Sequence, residues 1–207
     1  MKQIFNISST AIATLLVSLL FLSACQVDQQ PTNTKPWALV TESSQISLFA
    51  VKAEDVGEVF TIGLQGSTVS SDGKVTITFA PGDIETGIPI RNSRMGKYLF
   101  EVGKWPVATI TTQLDNELIA KIITGTRNTL QTEVTVDLHG ISATYDILFI
   151  ASSTKKGQII ITNTKPIAVH ADDFKFSAGL KKLQELAGLS SITPVTAVSF
   201  TLVFESK

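Results

Sequence analysis

From Trp37 onward, hydrophobic and polar positions alternate with a period of two. The clearest run is Leu130-Gln131-Thr132-Glu133-Val134-Thr135-Val136-Asp137-Leu138-His139, with Leu130, Val134, Val136 and Leu138 on one face and Gln131, Glu133, Asp137 and His139 on the other. This spacing predicts a strand with one buried and one wet face. Beyond a turn at His139-Gly140, the residues Ile141, Ala143, Tyr145, Ile147 and Phe149 recur at every second position, so the two runs form an antiparallel hairpin. Similar runs predict strands at 46–51, 59–64, 75–79, 108–114, 118–124, 158–162, 166–170 and 196–204, with turn chemistry at Ser70-Ser71-Asp72-Gly73, Asp115-Asn116 and Lys155-Lys156-Gly157. The class is all-β. About eight such strands suffice to close an antiparallel sheet into a small barrel, and closure removes the exposed edges that an open sheet would leave. A sandwich is the alternative architecture.

Two segments depart from the alternation. In 92–100, Met95 and Leu99 stand four apart behind Asn92, a candidate cap, and Gly96 weakens what is at most a short helical turn. The second is a helix over 178–187. Ser177 is its candidate cap, Leu180, Leu183, Leu186 and Ala187 form its apolar stripe, and Gly188 its stop. A lone helix of about three turns is marginal in water unless that stripe is packed. The mouth of the barrel is the nearest place for it, with Leu99 and Phe100 as a facing surface.

The first forty residues follow another logic. Lys2 precedes an apolar run over 11–22 that is too short to span a bilayer as a helix but suits a secretory signal. It ends in Leu22-Ser23-Ala24-Cys25, which resembles the bacterial lipobox, the alternative being an ordinary signal with a coincidental cysteine. Cys25 is the only cysteine, which leaves it no disulfide partner and makes acylation the economical reading. Two or more acyl chains on one residue anchor stably where a single chain does not. Residues 26–36 are polar and proline-broken, a tether reaching on the order of 20 Å. The expected organisation is a signal at 1–24, a lipidated cysteine and tether at 25–36, and a barrel domain at 37–207. Gln26, where an aspartate would retain a lipoprotein at the inner membrane by the usual sorting rule, points to the outer membrane, facing the periplasm.

The whole chain carries a net charge of −1, with no basic footprint for nucleic acid. His139 and His170 are the only histidines, and with no cysteine in the domain a metal site would need both of them to converge with carboxylates, which their spacing does not indicate. His139, at a hairpin turn, is expected to be solvated. Asp83 and Glu85 share one side of a strand, as paired catalytic carboxylates sometimes do, but read more simply as a solvent face before a bend at Gly87. There is no nucleophile motif and no phosphate-binding glycine loop. Neither an enzyme nor a cofactor is expected.

The stretch Asp83-Ile84-Glu85-Thr86-Gly87-Ile88-Pro89-Ile90-Arg91-Asn92-Ser93-Arg94-Met95, followed by Leu99-Phe100-Glu101-Val102 and Trp105-Pro106-Val107-Ala108-Thr109-Ile110, resembles the YceI-like polyisoprenoid-binding family. A later match is Val134-Thr135-Val136-Asp137-Leu138-His139-Gly140, and the resemblance extends over about residues 37–204. The chain departs from the pattern at Asn92 and Arg94, where members often carry Asp and His. It departs again at His170-Ala171-Asp172-Asp173-Phe174, where they have an arginine-containing turn. The resemblance implies a lipocalin-like antiparallel barrel whose apolar interior takes a long isoprenoid, such as a quinone or polyprenyl lipid, without catalysis. The candidate ligand contacts are Phe49, Leu99, Phe100, Val134, Val136, Tyr145, Ile147, Phe149, Phe174, Leu180 and Leu183. Inward Val, Thr, Ile and Ala suit tight packing as well as a cavity, so the alternative is a structural or interaction lipoprotein with a solid core.

Overall fold

In the computed structural model, which describes residues 37–125 and 129–206, the alternating runs become strands wherever one of their faces can be buried. The strands are β1 (Trp37–Leu39), β2 (Gln45–Lys52), β3 (Val56–Val69), β4 (Lys74–Glu85), β5 (Ala108–Gln113), β6 (Leu130–Leu138), β7 (Ile141–Ser153), β8 (Ile159–Asn163), β9 (Ile167–His170) and β10 (Val195–Ser206). All pairings are antiparallel. The signal segment, Cys25 and the tether lie outside the described residues.

Closure is achieved by β10. One of its edges pairs with β2, Phe200 opposite Ile46, while the other pairs with β8, Leu202 opposite Ile161. The circuit β2-β3-β4-β5-β6-β7-β8-β10 is thus a closed barrel of eight strands. The short strands β1 and β9 extend the pairing at the two ends of β10. The β6–β7 hairpin has the expected register, with Val134 opposite Tyr145 and Thr132 opposite Ile147. Its turn residues His139 and Gly140 both have positive φ, 57° and 71°, the backbone of the tight hairpin turn whose twist matches that of the strands.

Three helices close the ends: α1 (Pro89–Tyr98), α2 (Asn116–Thr124) and α3 (Ser177–Ala187). The expected strand at 118–124 is the helix α2, a correction with a local cause. The Asp115 side chain accepts the Leu118 N–H at 2.7 Å, Glu117 pairs with Lys121 one turn on, and Gly125 stops the helix at φ 66°. Leu118, Ile119, Ile122 and Ile123 follow helical spacing, a pattern masked by the β-branched character of the isoleucines. Neither proposed cap is one. Helix α1 starts earlier, at Pro89, and Asn92 lies inside it, its Oδ1 accepting the Thr86 N–H at 3.0 Å. Ser177 is the first residue of α3, with its hydroxyl donating to Asp172, while Gly188 ends that helix as expected, at φ 63°.

Chain direction puts α1, α3 and the β2–β3 turn at one end of the barrel, and α2 with the Ser70–Gly73 turn at the other. Helix α3 packs on α1 so closely that a Cβ on Gly179 would lie 2.5 Å from the Tyr98 carbonyl oxygen and 2.9 Å from the Leu99 Cα. Buried apolar residues gather around both ends, Phe79, Met95, Phe100, Phe174 and Leu183 toward the first and Ile122, Leu130, Phe149 and Ile159 toward the second.

Candidate functional site

Small and medium aliphatic side chains on the inner face of an eight-stranded barrel reach only part of the way to its axis, so the interior either closes on aromatics or stays open. Here it stays open. A cavity of about 850 Å³ runs along the barrel, toward the upper end of the roughly 300–1,000 Å³ typical of small-molecule sites. One row of its wall follows the register of adjacent strands, Ile77 beside Ile110 beside Val136. Another is built by Val134, Tyr145, Ile147 and Phe149.

At the α1 and α3 end, Met95, Leu99, Leu180 and Leu183 face the cavity. An aromatic cluster backs them, Phe100 meeting Phe176 edge to face at 5.6 Å and Phe174 lying 5.8 Å from Phe176. At the other end, Ile119, Ile122 and Ile123 of α2 complete the apolar lining. The expected lid therefore has the predicted neighbours, Leu99 and the turn at Phe100, but it shares the ends of the barrel with two further helices.

Leu99, Phe100, Val134, Val136, Tyr145, Ile147, Phe149, Phe174, Leu180 and Leu183 all lie on the cavity wall. Phe49 does not, and its nomination as a ligand contact is corrected. Ile46, Leu48 and Ala50 of β2 point inward, so the pleat turns Phe49 out, where it is 47% exposed and its ring covers Gly57. It pairs there with Val59, itself 65% exposed. The solvated His139 is a second correction. Its ring nitrogens meet the Phe174 carbonyl oxygen at 3.0 Å and Glu101 Oε2 at 2.6 Å, and its side chain is only 14% exposed, with Trp105 against its edge. Asp83 and Glu85 are exposed as expected, Glu85 held below the usual carboxylate range first by the Gly87 N–H and then by Asn92.

Polar groups on the wall are few and nearly all engaged. The Tyr145 hydroxyl donates to Asp173 Oδ2 at 2.8 Å; burial, reinforced by that carboxylate, pushes the phenol far above its ordinary value. At the α1 end, Glu58 accepts from Arg91 Nη1 at 2.7 Å and from Lys52 at 2.9 Å. Burial alone would raise the Glu58 carboxyl, but its bonds to Arg91 and Lys52, with their charges, outweigh that and hold it low. Arg91 also donates to the Thr86 carbonyl at 2.6 Å and lies over the Phe60 ring at 4.7 Å, while its Nε is buried without a partner among the described residues. One turn along α1, Arg94 donates to the Leu186 carbonyl at 3.1 Å.

Sequence reasoning missed Lys52, Glu58 and α2 as parts of this wall. The i, i+3 spacing of Arg91 and Arg94 was the available signal for one polar face on α1. Among the described residues, no three His, Cys, Asp or Glu side chains are grouped to hold a metal ion.

No family model and no curated protein matches the chain. Solved structures do. A polyisoprenoid binding domain from Saccharophagus degradans, implicated in plant cell wall breakdown, superposes with a TM-score of 0.77 at 28% identity, over 83% of this chain and 98% of that one. BcnA of Burkholderia cenocepacia shares the fold with a TM-score of 0.60 at 14% identity, over 80% and 98% of the respective chains. The YCEI protein of Campylobacter jejuni matches over 68% of this chain and 79% of its own, with a TM-score of 0.42 at 14% identity.

Proposed function

We propose, for a chain whose fold and ordered motifs are those of the YceI-like family, that the barrel binds a long isoprenoid or similar amphiphilic lipid at the cell envelope. The observation that carries this reading is the apolar cavity of about 850 Å³ enclosed by strands and helices. An apolar wall recognises its ligand by surface removed from water, at roughly 25 cal/mol per Å² of apolar area, so length and flexibility of the ligand matter more than a pattern of donors. The 28% identity to a domain described as polyisoprenoid-binding supports the same class. A quinone-like or polyprenyl lipid fits this description. The reading is of a binding protein without a cofactor: most polar groups of the wall hydrogen-bond to neighbouring protein groups, and among the described residues of the wall none pairs a nucleophile with a base. An interaction protein with a solid core is disfavoured by the cavity itself.

Cys25, acylated, would hold the domain on the periplasmic face of the outer membrane through the 26–36 tether, where the ligand's apolar chains are at hand. Native mass spectrometry before and after organic extraction tests the binding. The intact protein should carry a lipid-sized adduct that extraction removes and added isoprenoid restores, and a barrel that neither carries nor takes up lipid refutes the reading. Cys25→Ala tests the location, because the variant should leave the membrane fraction with its barrel intact. Retention of that variant through high-salt and carbonate washes refutes the anchor.

A further inference from the structure

The charge on the cavity wall is unevenly placed. Among the described residues four charged side chains line it, Lys52, Glu58, Arg91 and Arg94, and Glu58 alone is negative. That single carboxylate is shared by Lys52 and Arg91, leaving two positive charges uncompensated, whereas the chain as a whole is slightly acidic. All four sit at the α1 end. The opposite end is lined by Ile119, Ile122, Ile123 and the uncharged Ser70 and Ser71.

Geometry makes the surplus available to a ligand. Arg91 and Arg94 stand one turn apart on the same face of α1, which meets the cavity at both residues. Arg91 is held in place by Glu58, by the Thr86 carbonyl and by the Phe60 ring, yet among the described residues its buried Nε–H has no acceptor. Arg94 is half-buried, and its acceptor is the Leu186 carbonyl in the last turn of α3, which offers only the partial negative charge of a helix end. A buried donor without an acceptor and a cation without a counter-charge both favour an incoming anion, and the guanidinium fork matches the oxygens of a carboxylate or phosphate. The acidic Glu54 and Asp55 of the β2–β3 turn are exposed, where water screens them.

Resting on the lipid-binding reading above, we infer that the ligand is an acidic amphiphile, its apolar chain along the barrel and its carboxylate or phosphate head at Arg91 and Arg94. A neutral head leaves the surplus charge and the Nε–H unanswered.

The test holds the chain constant and changes the head. Delipidated full-length protein is titrated with geranylgeraniol, geranylgeranoic acid and geranylgeranyl monophosphate, with inorganic phosphate as a competitor. The two acids should bind about tenfold or more tightly than the alcohol, as one charge-assisted hydrogen bond accounts for. Arg94→Gln should erase most of that preference, the acids losing at least several-fold more affinity than the alcohol, and Arg94→Lys should restore part of it. Millimolar inorganic phosphate should not displace the acids. Equal affinity for alcohol and acids, or a preference that survives Arg94→Gln, overturns the inference and leaves lipid binding standing. Displacement by phosphate at the affinity of the phosphorylated lipid overturns it in favour of a free-anion site. Uptake of none of the three overturns the lipid-binding reading, and this inference with it.

Discussion

Val136 points into the barrel and is nevertheless only half-buried, because it faces open cavity where another side chain would stand in a solid core. A larger residue there occupies ligand space before it strains the wall. Val136→Trp should therefore abolish lipid uptake while lowering the melting temperature only slightly, well short of the roughly 1–3 kcal/mol that overpacking a filled core costs. Thermal melts and lipid titrations of the same preparation check this, and an unfolded variant would mean the space is not free. Glu58 makes a prediction about pH. Its carboxyl is held below the ordinary glutamate value of 4.5 by Arg91 and Lys52, so the charged form is worth more in the folded state than in the unfolded. Its contribution is complete above that value and fades as the pH falls through the lower folded value. Glu58→Gln should accordingly be less stable than the parent at pH 7, and the gap in chemical denaturation midpoints should narrow steadily below pH 4.5.

Helix α3 depends on its partner more than on its own propensity, as a three-turn helix must. Its contact with α1 is close because Gly179 has no side chain, and a methyl group there meets backbone atoms that have nowhere to yield but by moving the helix. Leu183, buried on the cavity side of α3, holds the other flank. Gly179→Ala and Leu183→Asp should both loosen this end and raise the release rate of a fluorescent isoprenoid several-fold, out of proportion to the fall in melting temperature. Stopped-flow release measures it directly. Unchanged release from either folded variant would place the ligand's exit elsewhere. Helix α2 teaches a different lesson about elements. Isoleucines at 119, 122 and 123 favour strand by propensity, but a cap, an ion pair and a stop glycine within ten residues decide for helix, and the apolar face so formed seals the second end of the barrel.

For the molecule as a whole, the decisive element is β10, which serves four partners. Thr201 sits where both edges are occupied at once, opposite Gln45 of β2 and Thr162 of β8. Proline at this point removes a backbone donor from a central strand and opens the circuit. Thr201→Pro should fail to give a closed barrel, reported by loss of near-ultraviolet circular dichroism and of lipid uptake together, whereas proline at the exposed Glu205, which pairs only with the short strand β1 outside the closed circuit, should cost far less. Closure also explains the cavity, since side chains of fixed length around a closed circuit leave a central volume that helices can cap but not fill.

Local information was enough for most of the strands, the His139-Gly140 hairpin, the 178–187 helix with its Gly188 stop, and the inward face of β6 and β7. Period two and period 3.6 are properties of neighbouring residues, and burial selects between them. The resemblance to YceI-like sequences carried the barrel further, to its lipocalin-like form. What the chain order does not contain is distance across the fold. Whether Val136 meets another side chain or empty space depends on the radius of a closed sheet. The burial of His139 depends on Phe174 and Glu101, which lie 35 and 38 residues away. In the charged group of Lys52, Glu58 and Arg91, the two strand residues face each other across a hairpin, but Arg91 of α1 comes from 33 residues beyond Glu58. Cavity volume and the pairing of charges are sums over residues that only closure brings together, and for that reason only the tertiary structure decided them.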